Sequence, residues 1–194
     1  MEAALEATTA SPRADGRVTD TRANIQSVAL ELFSQKGFTA TSLRDIAEAL
    51  GLTKAALYYH FPAKSELARS IFQPFVDDID AFLSGVEGGE LSARELLERY
   101  LDVLAPHRVV FMAVLHDASA LAHVDLEAAT VRWIERFQRL LVGPDATPAQ
   151  QVRAVVAVGG LSRCLVLSDI PAEQIRAAGV DAALAALYAG TEGT

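Results

Sequence analysis

Cysteine is almost missing from this sequence: Cys164 is the one thiol in 194 residues. No disulfide can therefore form within the chain, which suits a reducing, cytoplasmic setting. Long hydrophobic runs are missing as well. Val109 to Leu115 stops far short of the roughly 20 apolar residues that a membrane-spanning helix requires, so no membrane segment is expected. The first 17 residues, MEAALEATTASPRADGR, hold Glu2 and Glu6 where a signal peptide carries positive charge, and they contain no continuous apolar stretch. They are expected to be a disordered tail. There is no nucleophile elbow, glycine-rich phosphate loop or Cys-His arrangement, so nothing specific supports an enzyme, and no cofactor is expected. β-branched alternation is scarce, which argues against a sheet.

What is present is apolar content and a divided charge. At 51% hydrophobic residues, the chain has ample material for a buried core. The net charge of −8 looks wrong for a nucleic-acid binder until it is divided along the chain. Between Arg13 and Ser70, eight Lys and Arg stand against six acids, a balance of +2. From Ile71 onward nine arginines face seventeen acids, a balance of −8. One weakly basic end suited to phosphate, joined to an acidic body, fits that asymmetry.

Ala and Leu are abundant and apolar residues recur at three- and four-residue intervals, so the expected class is all-α. Thr19 or Thr21 can cap a first helix with the stripe Ile25, Val28, Ala29, Leu32 and Phe33, which Gly37 stops. Thr41 or Ser42 caps a second, Leu43 to Leu50, closed by Gly51. A third begins after Thr53 and ends near His60, before Pro62. A longer helix from about Ala63 into the eighties carries Pro74, which should kink it. Further helices are expected at about 91–105, 107–121, 125–142, 149–168 and 172–189, punctuated by Pro106, Gly143-Pro144, Pro148 and Pro171.

The second and third helices, joined through Gly51-Leu52-Thr53, make a helix-turn-helix whose second helix is short enough to enter a major groove. Ile46, Ala47, Leu50, Leu52 and Leu57 supply its inner face. The outer face is Thr53, Lys54, Ala56, Tyr58 and His60, with no acid among them. Thr, Tyr and His can hydrogen-bond phosphate oxygens, Lys54 adds a cation, and Ala55 and Ala56 can pack on thymine methyls. Lys64 stands where the next helix starts, so its ammonium can join free backbone N–H groups around one phosphate.

Those residues carry a resemblance. TSLRDIAEALGLTKAALYYHFPAKSEL resembles the DNA-binding signature of the TetR family of bacterial transcriptional regulators, over about residues 19–70 and a dozen positions in order and spacing. The resemblance implies a homodimer with two DNA-binding heads on a helical body, and a small-molecule effector held in a cavity of each body. Ser42, Tyr58, His60 and Lys64 would then contact phosphate, while Arg44, Thr53, Lys54, Ala55 and Tyr59 would meet base edges. For Arg44 an ion pair with Asp45 or Glu48 is the competing reading. The implied organisation is a tail (1–17), a three-helix DNA-binding domain (18–64) and a helical ligand-binding and dimerisation domain (65–194). A repressor released from operator DNA by its ligand follows; a regulator without any effector is the alternative.

In the body, Phe111, Met112, Leu115, His116, Trp133, Phe137 and Cys164 are candidates to line a mostly apolar pocket; for Cys164, inert core filling is the competing reading. His107, His116 and His123 invite a metal, yet helical ligand pairs are typically three or four residues apart and these are not, so no metal is expected. The helices at about 149–168 and 172–189 are rich in small residues on nearly every side. They are expected to form the dimer surface, with internal packing as the competing account.

Overall fold

The structure, a computed structural model, describes residues 13–117, 119, 126–167 and 169–190. Among them the order is α1 (Arg13–Lys36), α2 (Leu43–Ala49), α3 (Lys54–His60), α4 (Lys64–Val86), α5 (Ala93–Leu104), α6 (Arg108–His116), α7 (Leu126–Val142), α8 (Pro148–Arg163) and α9 (Ala172–Tyr188), with no strand. Short 3₁₀ turns, Ala105–His107 and Cys164–Val166, precede α6 and follow α8.

Helix α1 starts earlier than the capping threonines suggest. Nothing between Arg13 and Thr21 interrupts a helix except Gly16, whose cost of about 1 kcal/mol a long helix tolerates, so residues 13–17 are helical rather than disordered. The rest of the expected tail lies outside the described residues. Ile25, Ala29 and Phe33, four apart, form the buried stripe of α1. They meet Leu43, Ile46 and Ala47 of α2, Leu57 of α3 and Phe61, which together fill the head.

Helix α4 carries that core onward. Its Leu67 and Ala68 are buried near the head, and Phe72, Phe75, Val76, Ile79 and Leu83 continue along the body, so one apolar cluster runs through both parts. Pro74 does not break the helix. A proline there has no N–H for the carbonyl four residues back, and Ser70 supplies that carbonyl. The amide of Gln26 in α1 donates to it at 3.2 Å, and to the Ser70 hydroxyl at 2.9 Å. The bond that proline removes is thus replaced from the neighbouring helix, which also ties α1 to α4.

In the body, α5, α6 and α7 pack on α4, α8 packs on α5 and α7, and α9 lies along α8 and against α5. Helix α8 divides into two faces. Ala154, Ala157 and Leu161 are buried against Val180, Ala183 and Leu187 of α9 within the same chain. The approach is close enough that a Cβ on Gly179 would lie 3.0 Å from Leu161 Cδ1. Much of the small-residue face read as a dimer surface is therefore internal packing, because small side chains serve close helix approach within one chain as well as between two. Val152, Val155, Val156, Gly159 and Gly160 remain exposed on the other side. None of the described helices is long and apolar enough to cross a membrane.

Candidate nucleic-acid interface and interior cavity

Capping sets the orientation of the helix-turn-helix. The Ser42 hydroxyl accepts from the Asp45 backbone N–H, and Asp45 in return accepts from the Ser42 N–H at 2.8 Å and its hydroxyl at 2.7 Å. Those bonds hold the Asp45 carboxyl below its usual range. The turn closes through Gly51, at φ 63°, and through the Leu52 N–H to the Ala47 carbonyl at 2.9 Å. Thr53 then caps α3 by accepting from Ala56 N–H at 3.1 Å.

Only Leu57 of α3 is buried. Thr53, Lys54 and Ala55 are exposed, Tyr58 is 40% and Tyr59 78% exposed, and His60 is half-buried. The Lys54 ammonium lies 5.4 Å from the centre of the Tyr58 ring. Thr53, Lys54, Ala55, Tyr58 and Tyr59 thus share an outward surface with no acidic side chain on the helix. Arg44 pairs with Glu48 at 2.7 Å, the competing reading. Both side chains are largely exposed, so little free energy holds the guanidinium there.

Lys64 is placed differently from the expectation. Its ammonium turns inward and donates to the carbonyls of Phe38 and Thr41, each at 2.7 Å, and sits 4.2 Å over the Phe38 ring. Burial lowers its pKa. Two of its three N–H donors are spent on the α1–α2 connection, so in this conformation Lys64 braces the turn that presents Ser42.

Two residues that sequence reasoning missed complete the head. Arg22 donates to the His60 carbonyl at 2.9 Å and lies 4.2 Å over the Phe61 ring, fixing the end of α3 onto α1. Asp117, just beyond α6, accepts from the backbone N–H of Thr39 at 2.8 Å and from that of Ser119 at 2.9 Å. The Thr39 and Ser119 hydroxyls are 2.7 Å apart. These bonds draw the Asp117 carboxyl far below its usual range. No spacing in the sequence announces either contact, since the partners are 38 and 78 residues away.

The body encloses a cavity of about 360 Å³ bounded by α4, α5, α6, α7 and α8. Of the expected lining residues, Phe111, Leu115, Trp133 and Phe137 do face it. Met112, His116 and Cys164 do not. On α6, Phe111, Val114 and Leu115 share the inward face, while Met112 and His116 are turned outward and exposed. Cys164 faces Gly179 of α9, with its thiol donating to the Gly160 carbonyl. Phe75, Tyr100 and Ser162 line the cavity without having been foreseen, because α4 and α5 reach it only through tertiary packing.

Rings meet edge-on along one wall: Phe75 with Trp133 at 5.7 Å, and Tyr100 with Phe137 at 4.6 Å. The Trp133 indole N–H is committed to Asp80 at 2.8 Å, and Arg136 faces the same carboxylate. Tyr100 and Ser162 share a buried hydrogen bond of 2.8 Å, and burial pushes the phenol up to about 12. His107 pairs with Asp78 at 2.7 Å and His116 is exposed, while His123 lies outside the described residues. No three metal-ligating side chains gather among the described residues.

Comparison with known proteins agrees with this geometry. The family model for bacterial regulatory proteins of the tetR family matches residues 25–71. The HTH-type transcriptional regulator AcrR of Shigella flexneri is 50% identical over 54 residues, 28% of this chain and 25% of that protein. The HTH-type transcriptional repressor KstR2 of Rhodococcus jostii is 34% identical over 77 residues, 40% of this chain and 38% of its own. These matches thus span only a quarter to two-fifths of the relatives' length. The fold extends further: a TetR-like transcriptional regulator from Rhodococcus sp. RHA1 superposes with a TM-score of 0.69 at 24% identity, covering 95% of this chain and all of that one. Residues 25–71 thus match the tetR family of bacterial regulatory proteins, and the all-helical architecture that carries them shares its fold with a TetR-like transcriptional regulator.

Proposed function

We propose that this protein is a cytoplasmic repressor that binds a palindromic operator as a homodimer and is released by a small molecule. The observation that carries the reading is one connected framework. The exposed, acid-free face of α3 lies at one end and the cavity at the other, and α4 and α6, which both line the cavity, each connect to the Phe38–Thr41 turn ahead of the helix-turn-helix, through Lys64 and through Asp117 just beyond α6.

In this reading α3 enters a major groove. Ser42, Tyr58 and His60 meet phosphates, and Arg44, Thr53, Lys54, Ala55 and Tyr59 meet base edges. Lys64 serves chiefly by holding the Phe38–Thr41 turn, with its remaining donor available to a phosphate. Two copies associate through the exposed face of α8, Val152, Val156, Gly159 and Gly160, together with exposed small residues of α9 such as Ala182 and Ala185. The helix-turn-helix and the helical body act as separate functional units, with the boundary near residue 64.

Release follows from the same connections. Phe111 and Leu115 present α6 to the cavity, and Asp117 at its end holds the head; Phe75 of α4 also faces the cavity, and Leu67 anchors that helix near the head. A ligand that repositions α6 or α4 changes the spacing of two heads about one DNA turn apart. To move the population from bound to released almost completely, it must favour the released form by roughly 5 kcal/mol. Selection of bound fragments from a random duplex pool tests the reading. An enriched inverted repeat supports it, and no enrichment by a folded protein contradicts it.

A further inference from the structure

We propose that the cavity takes a small anionic amphiphile, with its apolar body among Phe75, Phe111, Trp133 and Phe137 and its carboxylate at Arg163. This rests on the effector reading above and adds the chemical class of the ligand.

Among the described residues no carboxylate lines the cavity, and Arg163 is the one charged lining residue. Among the described residues several body arginines, unlike Arg94, Arg136 and Arg176, make no ion pair, and of these unpaired ones Arg163 is the one that lines the cavity. Its side chain is exposed, which puts the charge at the mouth. Five aromatic rings alone would also suit an organic cation through cation–π contact. Here such a cation would share the cavity with a guanidinium and find no counter-charge.

The deep end fixes the orientation. Ser162 donates its one hydroxyl hydrogen to the Val158 carbonyl at 2.8 Å, so Tyr100 donates to Ser162 and offers a ligand only lone pairs. The Trp133 N–H is spent on Asp80. Thr130 is exposed and Gln138 only half-buried, so a carboxylate set against the buried Tyr100, Ser162 and Trp133 would meet no free side-chain donor among them and would carry its full desolvation cost. The charged end therefore stays at the mouth and the apolar end goes inward. At about 360 Å³ the space lies near the lower end of ligand pockets, roughly 300–1,000 Å³, which fits a single ring on a short chain.

Three probes with one body separate the possibilities: 4-phenylbutanoate, 4-phenylbutanol and 4-phenylbutylammonium. Each is titrated into the full-length protein near neutral pH, following the emission of Trp133, the chain's one tryptophan. The acid should bind about fivefold tighter than the alcohol, with the ammonium weakest. Arg163→Gln should abolish the preference for the acid and leave the alcohol's affinity unchanged, and Arg163→Lys should keep the preference. Equal binding of acid and alcohol, insensitivity to Arg163→Gln, tightest binding of the ammonium, or no saturable change with any probe would each overturn the proposal. Operator competition in parallel separates it from the effector reading. If the acid binds as expected but leaves DNA affinity unchanged, the ligand class stands and the effector role falls. If the alcohol or ammonium alone releases DNA, the effector role stands and the ligand class falls.

Discussion

Asp117, at the end of the helix that walls the cavity, accepts a 2.8 Å hydrogen bond from the backbone N–H of Thr39 in the turn that leads to the helix-turn-helix. It is a direct tie between body and head. Asp117→Ala should cost about 1.5 kcal/mol of unfolding free energy, the low end for a charge-assisted bond because the site is partly solvated. It should also weaken effector-driven release more than it weakens operator binding itself. Denaturant unfolding and paired operator titrations with and without ligand check both parts. The carboxyl's depressed pKa sets the sign of the pH effect: the tie is fully present above the ordinary carboxylate range and fails only as pH falls well below it.

Gly37 and Gly51 both hold left-handed backbone, at φ 87° and 63°, yet they should respond differently to alanine. A Cβ on Gly37 would sit 3.0 Å from Asp117 Oδ2, whereas one on Gly51 meets nothing within 4 Å. Gly51→Ala should cost about 1–2 kcal/mol, the backbone penalty alone. Gly37→Ala should cost more, with the excess reduced in an Asp117→Ala background, which removes Oδ2 but keeps the Asp117 Cβ at 3.2 Å. A double-mutant cycle measured by urea unfolding resolves the difference.

Lys64 and Tyr58 should also separate. Lys64→Ala removes two buried-side donors from the Phe38 and Thr41 carbonyls, so it should destabilise the protein on the order of 2 kcal/mol. Tyr58→Phe removes an exposed hydroxyl and should leave stability unchanged. It should weaken binding to all DNA sequences alike and leave the salt slope of affinity unchanged, because a neutral hydroxyl releases no counterions. Thermal melts set beside salt-dependent binding isotherms read both effects.

Tyr100 predicts behaviour in alkali. Its phenol is raised from 10.0 to about 12, so the folded state holds that proton more tightly than the unfolded chain. The resulting stabilisation is complete below pH 10 and is lost as pH rises towards about 12. An ultraviolet titration should show a tyrosine step at about pH 12 that Tyr100→Phe abolishes, and the same substitution should remove its share of the alkaline loss of stability.

The helices and the exposed face of α3 were legible because they depend on local rules. Ser42 and Thr53 cap their helices and Gly37 and Gly51 stop them, as their chemistry requires. What escaped was long-range. Whether Lys64 points outward or inward depends on where the Phe38 and Thr41 carbonyls lie. Whether Ala157 meets a second copy or its own α9 cannot be read from a helix that is small on every side. On α6 the stripe that faces the cavity was half legible: Phe111 and Leu115 fall on it, while Met112 and His116, one position on from each, point away.

Affinity for an operator enriched from the random pool tests the account most directly when the wild type is set against a Lys54→Glu/Tyr59→Ala double variant. Both side chains are exposed and neither supports the core, so the variant should unfold like the wild type. Loss of specific binding by more than about tenfold, beyond what weaker phosphate attraction explains, is the predicted result. Undiminished specific binding by the folded variant would mean that α3 is not the element that reads DNA.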